Sequence, residues 1–561
     1  MKKNFKFSVF LLLTVFLIDT VRITAQTVDY KSLSKKASKL ASDYPGLCTI
    51  KSLARTAGGR EILVLTIGTG NSDSKPGIAV AGGIDGAYPF TRDIALGFAE
   101  NLLRESATPA VKSLLEKTTF YVFPDVSPDA SAQYFAPLKY ERHVNERSTD
   151  DDRDFLTGED PFEDLNGDGL ITLIRVTDPS GTYIEGDEDS RVMVQADLSK
   201  GQKGMFLIYS EGTDNDKDGL FNEDGPGGVD FNKNFTYNYE EYSTNAGLHA
   251  VSEPESKAVA DFLYDHFNIY TVICFGPQDN LGQETSRGME RTTQGTQQNA
   301  GGQQSQQGMQ NIRMTGDRRL TSVMRTDETI IRLVANKYRE ITGLKGAPPV
   351  KTSPGNFADW AYYHYGRYSF STPGWWFPAE KGKNIEASFL KYTEENKTGD
   401  VFVPWTEVKH PDFPGKKVEA GGIKPFAMNI PPAGIAEDMI VKNYRFVLAV
   451  AEMHPELEFT DVKVENPGSD IYRISLKVHN KGLFATCAEA GNSNMWTRLM
   501  RISLELSKGQ SVISGQKVQR MQRIEGGKSA EYNWLVSGKG KVSVNAGAVN
   551  TGIIGTTLEL K

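Results

Sequence analysis

Two kinds of periodicity divide the chain. Between residues 30 and 453, short apolar runs alternate with stretches whose apolar residues recur every three or four positions. Glu61–Ile67 and Gly77–Ala81 are rich in β-branched residues and bounded by Gly, Ser and Pro, which predicts buried strands. Ile94, Phe98 and Leu102 stand at helical spacing within residues 93–104. Residues 120–123 and 270–274 again read as strands. Ser252-Glu-Pro-Glu255 has Ser, then Glu three residues on, with Pro in the first turn. This predicts a capping box opening a helix through about residue 266. Further helices are predicted over residues 327–341 and 433–453. Such alternation argues for an α/β domain with a mixed sheet flanked by helices, spanning residues 30–453.

His454-Pro455 ends that pattern, because proline stops a helix. Beyond it the period falls to two: Ile474, Leu476 and Val478, then Ile502, Leu504 and Leu506, then Val542 and Val544. Turn signals at Asn480-Lys-Gly482 and Ser507-Lys-Gly509 separate these runs. Residues 456–561 therefore read as an all-β sandwich. Residues 282–318 are dominated by Gln, Gly, Thr and Ser and read as a low-complexity insertion.

Residues 1–25 carry the signature of a signal peptide. Lys2, Lys3 and Lys6 precede an apolar run from Val9 to Ile18, and Ile23-Thr24-Ala25 offers a cleavage site. The run is too short for a stable membrane anchor, and no later stretch reaches about 18 uncharged apolar residues. Export to a periplasmic or extracellular location, with no membrane anchor after cleavage, is the expectation. Composition is that of a globular protein, 39% hydrophobic and 24% charged. Removing residues 1–25 takes the net charge from -8 to -11. An acidic surface is unsuited to tracking phosphates, so nucleic acid is excluded as a partner. Three cysteines, Cys48, Cys274 and Cys487, offer neither a disulfide framework nor a Cys-x-x-Cys site.

Four blocks, in order along the chain, resemble the zinc carboxypeptidase family of carboxypeptidase A type. They are Tyr44-Pro45 with Thr56-Ala-Gly-Gly-Arg60-Glu61-Ile62; Asp230-Phe-Asn232-Lys233-Asn234-Phe235; Ser252-Glu-Pro-Glu255; and Asp359-Trp360-Ala361-Tyr362 before Tyr368-Ser-Phe370. The resemblance implies a catalytic zinc held by His-x-x-Glu and a later His, with a glutamate as general base. The corresponding positions here are Asp85, Tyr88, Phe275 and Pro373. Asp85 alone could ligate zinc, so zinc is not expected. The seven histidines, His143, His249, His266, His364, His410, His454 and His479, form no metal-binding pair in the sequence and are read as surface or packed side chains.

The resemblance also implies a pocket for a peptide's terminal carboxylate. Its positions are Asn232, Lys233 and Tyr362, with an arginine filled by either Arg142 or Arg147. Lysine at 233 replaces the family's arginine, which exchanges a bidentate fork for a point charge. Trp375 and Trp376, after the base position, are expected to line a remodelled cleft.

Asp164-Leu-Asn166-Gly-Asp168-Gly169 and Asp214-Asn-Asp216-Lys-Asp218-Gly219 place oxygen-bearing side chains at positions 1, 3 and 5 before a glycine. That spacing suits calcium, although Arg175 and Gly225 stand where an EF-hand has its closing glutamate. The leading functional expectation is an exported pseudo-peptidase that keeps a cleft for a peptide or other carboxylate-bearing ligand. The alternatives are an active metallocarboxypeptidase with a rebuilt metal site, and a structural or adhesion protein.

Overall fold

The structure is a computed structural model describing residues 27–150, 155, 157–215, 217, 219, 222, 225, 227–283, 320–350 and 352–561. The signal-peptide segment and most of the low-complexity stretch lie outside the described residues.

A six-stranded sheet organises the α/β domain. Its strands are β1 (Cys48–Arg55), β2 (Glu61–Ile67), β3 (Gly77–Ala81), β4 (Thr119–Phe123), β5 (Ile269–Phe275) and β6 (Tyr368–Thr372), in the order β1-β2-β4-β3-β5-β6. β1, β2 and β4 pair antiparallel, whereas β4, β3, β5 and β6 run parallel. Every residue of those four parallel strands is buried, as expected of strands covered on both faces. On one face pack α1 (Tyr30–Asp43), α2 (Phe90–Arg104), α3 (Pro109–Lys117), and the later helices Arg325–Thr342 and Ala433–Glu452, through Leu33, Ile94, Leu114, Val334 and Val447. The helices Pro254–Asp265 and Phe357–Tyr363 cover the other face with Val259, Leu263 and Trp360. The helix at 254 is not opened by a capping box. Its N-cap is Glu253, without a side-chain cap. Ser252 Oγ instead donates to the Glu253 carboxylate at 2.8 Å and accepts from Asn234, while Glu255 accepts from Asn145 at 2.7 Å. Long-range partners have captured both box residues.

A second six-stranded sheet sits beside this core, ordered Phe402–Val408, Val418–Ile423, Leu173–Thr177, Phe206–Ser210, Tyr183–Glu185, Met193–Gln195. Its small core is Ile174, Val176, Val418 and Ala420.

The C-terminal region is made of two four-stranded antiparallel sheets. One is β7 (Leu457–Gly468), β8 (Ile471–Asn480), β12 (Ser529–Ser537) and β10 (Ser511–Ser514); the other is β11 (Val518–Arg520), β9 (Arg501–Leu506), β13 (Gly540–Ala548) and β14 (Gly552–Leu560), each given in spatial order. Ile474, Leu476, Val478, Ile502, Leu504, Val542 and Val544 all face the core between them. Their period-two spacing puts one face of each strand inside.

A buried charge joins the two regions. Arg523 reaches into the seam and meets Asp327 at the start of helix Arg325–Thr342 at 2.9 Å, with side chains 6% and 0% exposed. Asp327 also accepts from the Glu489 amide and the Tyr362 hydroxyl, both at 2.8 Å. Arg367 crosses the same seam to the Trp496 carbonyl and Thr497 hydroxyl, each at 2.9 Å. Arg523→Met should lower the unfolding free energy by about 3–5 kcal/mol, the cost of stranding one member of a buried pair. Lys39→Ala, which removes an exposed contact to Asp43, should change it by about 0.5 kcal/mol or less. Denaturant titration of the two variants checks the contrast.

Candidate functional site

The carboxyl ends of the parallel strands all open on one edge of the sheet, and the candidate site lies there. β3 runs into Gly82-Gly83-Ile84-Asp85. Gly83 has φ +64°, and a Cβ on it would stand 2.2 Å from Asp125 Oδ1, so only glycine fits this close crossing of the β3 and β4 exits. The turn aims the Asp85 carboxylate, 8% exposed, at a neighbouring extended segment. There His143 Nδ1 lies 2.8 Å from one Asp85 oxygen and 3.0 Å from the other. The His143 side chain is half exposed.

Asp230 supplies the floor. It is buried, and its side chain accepts from the Asn232 amide at 2.7 Å, starting the short turn Phe231–Lys233. Val144 pairs with Asp230 as an isolated antiparallel bridge, which brings the His143 segment alongside. Burial raises the Asp230 pKa, and the neighbouring Asp85 charge raises it further. The Asp85 charge holds the His143 imidazole up at about 9, despite partial burial. At neutral pH the site therefore carries an imidazolium clamped on a carboxylate. Glu141 lies two residues before His143 and accepts from the Phe426 amide at 2.8 Å, while Asn429 donates to the Ala87 carbonyl at 3.0 Å. The segment around residues 426–429 thus pins both the Asp85 turn and the His143 segment.

The four residues expected at the family's catalytic positions have distinct surroundings. Asp85 is held by His143. Tyr88 keeps its proton, because burial pushes its phenol pKa well up. Phe275 is fully buried in the core and Pro373 has no titratable group. This donor set does not match a catalytic zinc site, which takes three protein ligands around the metal. Among the described residues, no group of three or more His, Cys, Asp or Glu side chains is arranged to hold a metal ion.

Of the expected carboxylate-binding residues, Asn232 and Lys233 lie on the short turn that Asp230 opens, and the others are engaged elsewhere. Asn232 Nδ2 donates to Gln278 Oε1 at 2.8 Å, and its Oδ1 accepts from the Phe357 amide at 3.2 Å. Lys233 is half-buried, with Nζ 3.5 Å from the Thr244 carbonyl. Tyr362 does not face Asn232: its hydroxyl donates to Asp327 and accepts from the Met324 amide at 2.9 Å. Arg142 is buried against the carbonyls of Val144, Asn145 and Gly227, and Arg147 pairs with buried Glu253 at 2.7 Å. Trp375 and Trp376 line no cleft. Both are 4% exposed in the core on the opposite face of the sheet from Phe231, and the Trp376 indole donates to the Lys345 carbonyl at 3.0 Å. Large apolar rings are placed where they bury most area.

His143 was missed as a functional residue; it is neither a packed histidine nor a free surface one. The available signal was alternation. Glu141, His143 and Asn145 are two apart on an extended segment, so they share a side opposite to Arg142 and Val144.

In the first acidic loop, Asp164 accepts from the amides of Gly167, Asp168 and Gly169 at 2.7–3.1 Å, Asn166 from Asp168, and Asp168 from Leu170. Buried Glu211 gathers the amides of Leu165, Asn166 and Thr172 behind it. In the second, Asp214 accepts from Lys217 and Gly219, while Asp216 and Asp218 lie outside the described residues.

Residues 33–167 match the family model described as Zinc carboxypeptidase. Carboxypeptidase B of Astacus astacus is 30% identical over 107 residues, 19% of this chain and 34% of that protein. Carboxypeptidase D of Rattus norvegicus is 30% identical over 134 residues, 23% of this chain and 10% of that protein. Residues 33–167 are thus similar to the zinc carboxypeptidase family. The chain spans well under two thirds of those relatives' lengths, so the carboxypeptidase names describe them and not this chain's activity. Similar solved structures include bovine thrombin-activatable fibrinolysis inhibitor in complex with tick carboxypeptidase inhibitor (14% identity, 76% of this chain and 97% of that one, TM-score 0.41) and carboxypeptidase A from Helicoverpa armigera (14%, 76% and 74%, TM-score 0.42). Residues 456–559 match a Domain of unknown function (DUF8731).

Because pairing raises the His143 pKa, the chain should draw stability from the Asp85–His143 pair fully below the ordinary imidazole pKa and lose it as pH rises through about 9. NMR titration of the His143 ring should show that late midpoint. Asp85→Asn should return it toward roughly 6.5.

Proposed function

We propose that this chain is an exported carboxypeptidase-fold protein that does not hydrolyse peptides and instead holds a carboxylate-bearing ligand, such as a peptide's C-terminal end. The observation supporting this is the Asp85–His143 pair. The one zinc-capable side chain among the family positions faces an imidazolium, and the remaining positions offer a protonated phenol, a phenyl ring and a proline. A water molecule would have no Lewis acid to lower its pKa and no glutamate at position 373 to take its proton.

Recognition chemistry persists in a changed form. The charges of the His143 imidazolium and the Lys233 ammonium both act on Asp230, whose pKa burial and the Asp85 charge push up to about 7. A carboxylate entering there meets these two cations beside the acids Asp85 and Asp230. Lysine binds as a point charge, so grip on the carboxylate is less directional than a guanidinium fork would give. Titration of the mature chain with peptides of free and amidated C-terminus tests this. The free form should bind, the amide should not, and Lys233→Ala should weaken the free form at least tenfold. Equal binding of both forms would show that carboxylate recognition is gone. One zinc per chain after dialysis, lost in Asp85→Ala, would favour the active metallopeptidase instead.

We further infer that the Asp164 loop takes calcium, with Asp164, Asn166 and Asp168 as side-chain ligands and Asp214, Asp216 and Asp218 as a second set. The first loop is already wound around its leading carboxylate, which lowers the ordering needed on binding. Millimolar calcium should raise the melting temperature by mass action. Superimposable melting curves with calcium and with chelator would remove this reading.

A further inference from the structure

The outer face of the sheet β11-β9-β13-β14 carries two arginines directly opposite each other. Across the strands, Arg520 stands opposite Arg501, Arg501 opposite Gly547, and Gly547 opposite Ile553. Two like charges directly opposite in an antiparallel pair destabilise the sheet. A third guanidinium, Arg498, lies 3.9 Å over the Phe267 ring of the α/β domain. All three arginines are exposed, and none of them pairs with a carboxylate among the described residues. Glu505, on the same face, is four residues along β9 from Arg501 and accepts from Asn545 at 3.0 Å.

Beside the arginines the face is hollow and apolar. Gly547 leaves the middle of the row without a side chain. Its φ is +130°, and a Cβ there would stand 2.2 Å from the Gly552 carbonyl oxygen, so the gap cannot be filled by substitution. The hollow has a volume of about 480 Å³, walled by Phe267, Leu499, Val518 and Ile553 with Arg498 and Arg501 at the rim. Val518 and Ile553 are 54% and 66% exposed, costly for side chains of this kind unless something covers them.

We propose that this hollow binds an apolar group bearing a carboxylate, with Arg498 and Arg501 taking the carboxylate and Val518, Ile553 and Phe267 the apolar body. Guanidiniums fit a carboxylate bidentately and give it direction. The volume suits a small ligand or the last residue or two of a chain, within the size range of ordinary ligand sites. A single bound apolar acid would place an anion beside Arg501 of the like-charge pair and cover the apolar wall. The site is independent of the cleft at Asp85 and would exist whether or not that cleft binds anything.

Calorimetric titration of the full mature chain tests the proposal, with 3-phenylpropionate, its amide, and acetyl-Ala-Phe with a free or amidated end as probes. The carboxylates should bind and the amides should not. Arg498→Gln/Arg501→Gln should weaken binding at least tenfold, whereas Lys233→Ala should leave this event unchanged. Binding of both carboxylates supports a site for any apolar acid; binding of the peptide alone supports a site for chain ends. Equal binding of acid and amide, or full binding by the double variant, would overturn the proposal. The single variant Arg501→Gln should also melt at or above the wild-type temperature, because it relieves the Arg501–Arg520 repulsion. A lower melting temperature would assign Arg501 a structural role and overturn the proposal as well.

Discussion

The Asp327 carboxylate is the constraint on which the arrangement of the whole molecule turns. It is fully buried, an expensive place for a charge, and it is tolerated because Arg523, the Tyr362 hydroxyl and the Glu489 amide all converge on it. Arg523 and the Glu489 amide come from the C-terminal region, the Tyr362 hydroxyl from the helix Phe357–Tyr363. None of them could be withdrawn without leaving a buried charge short of a partner. The C-terminal sheets are therefore docked by polar groups that must meet in one geometry, which apolar contacts alone would not enforce. The same carboxylate fixes one end of the Phe357–Tyr363 helix. At the other end, the Phe357 amide donates to Asn232. A rigid link runs from the sandwich through one helix to the edge of the candidate site.

This link explains why Tyr362 is absent from the cleft. A tyrosine hydroxyl that binds a ligand's carboxylate must be free to face it. Here the hydroxyl donates to Asp327 and accepts the Met324 amide, so both of its roles are filled. The motif around residue 359 is intact as a sequence, and its fold survives. The chemistry of its last residue has passed to the domain seam.

That distinction marks how much was legible in the sequence. Strands β2 to β5, the helices at 433 and 325, and the inward residues of β8, β9 and β13 follow from local apolar spacing, and local spacing is what a single sequence displays. The residues at Asp85, Tyr88, Phe275 and Pro373 could be compared with the motif for the same reason, since a motif slot can be read one residue at a time. The gain at His143 was not. Its contact with Asp85 spans 58 residues and depends on which side of an extended segment the imidazole leaves. The Ser252 cap failed likewise, because Asn234 and Asn145 compete for its side chains from 18 and 110 residues away. Trp375 and Trp376 were assigned to a cleft by their place in the chain, but burial on the opposite face of the sheet decided their position.

The exchange at Asp85 changes the kind of electrostatics the site can offer. A zinc ion would bring two positive charges and an open coordination position that polarises whatever it touches. The His143 imidazolium brings one charge, already answered by the carboxylate that holds it, and donors of fixed direction. Such a pair can orient an anion but does not lower the pKa of water. The parallel strands and the glycine crossing at Gly83 position whatever side chains stand at the strand ends, so the architecture does not settle the chemistry, which is to be read from His143, Asp85 and Asp230.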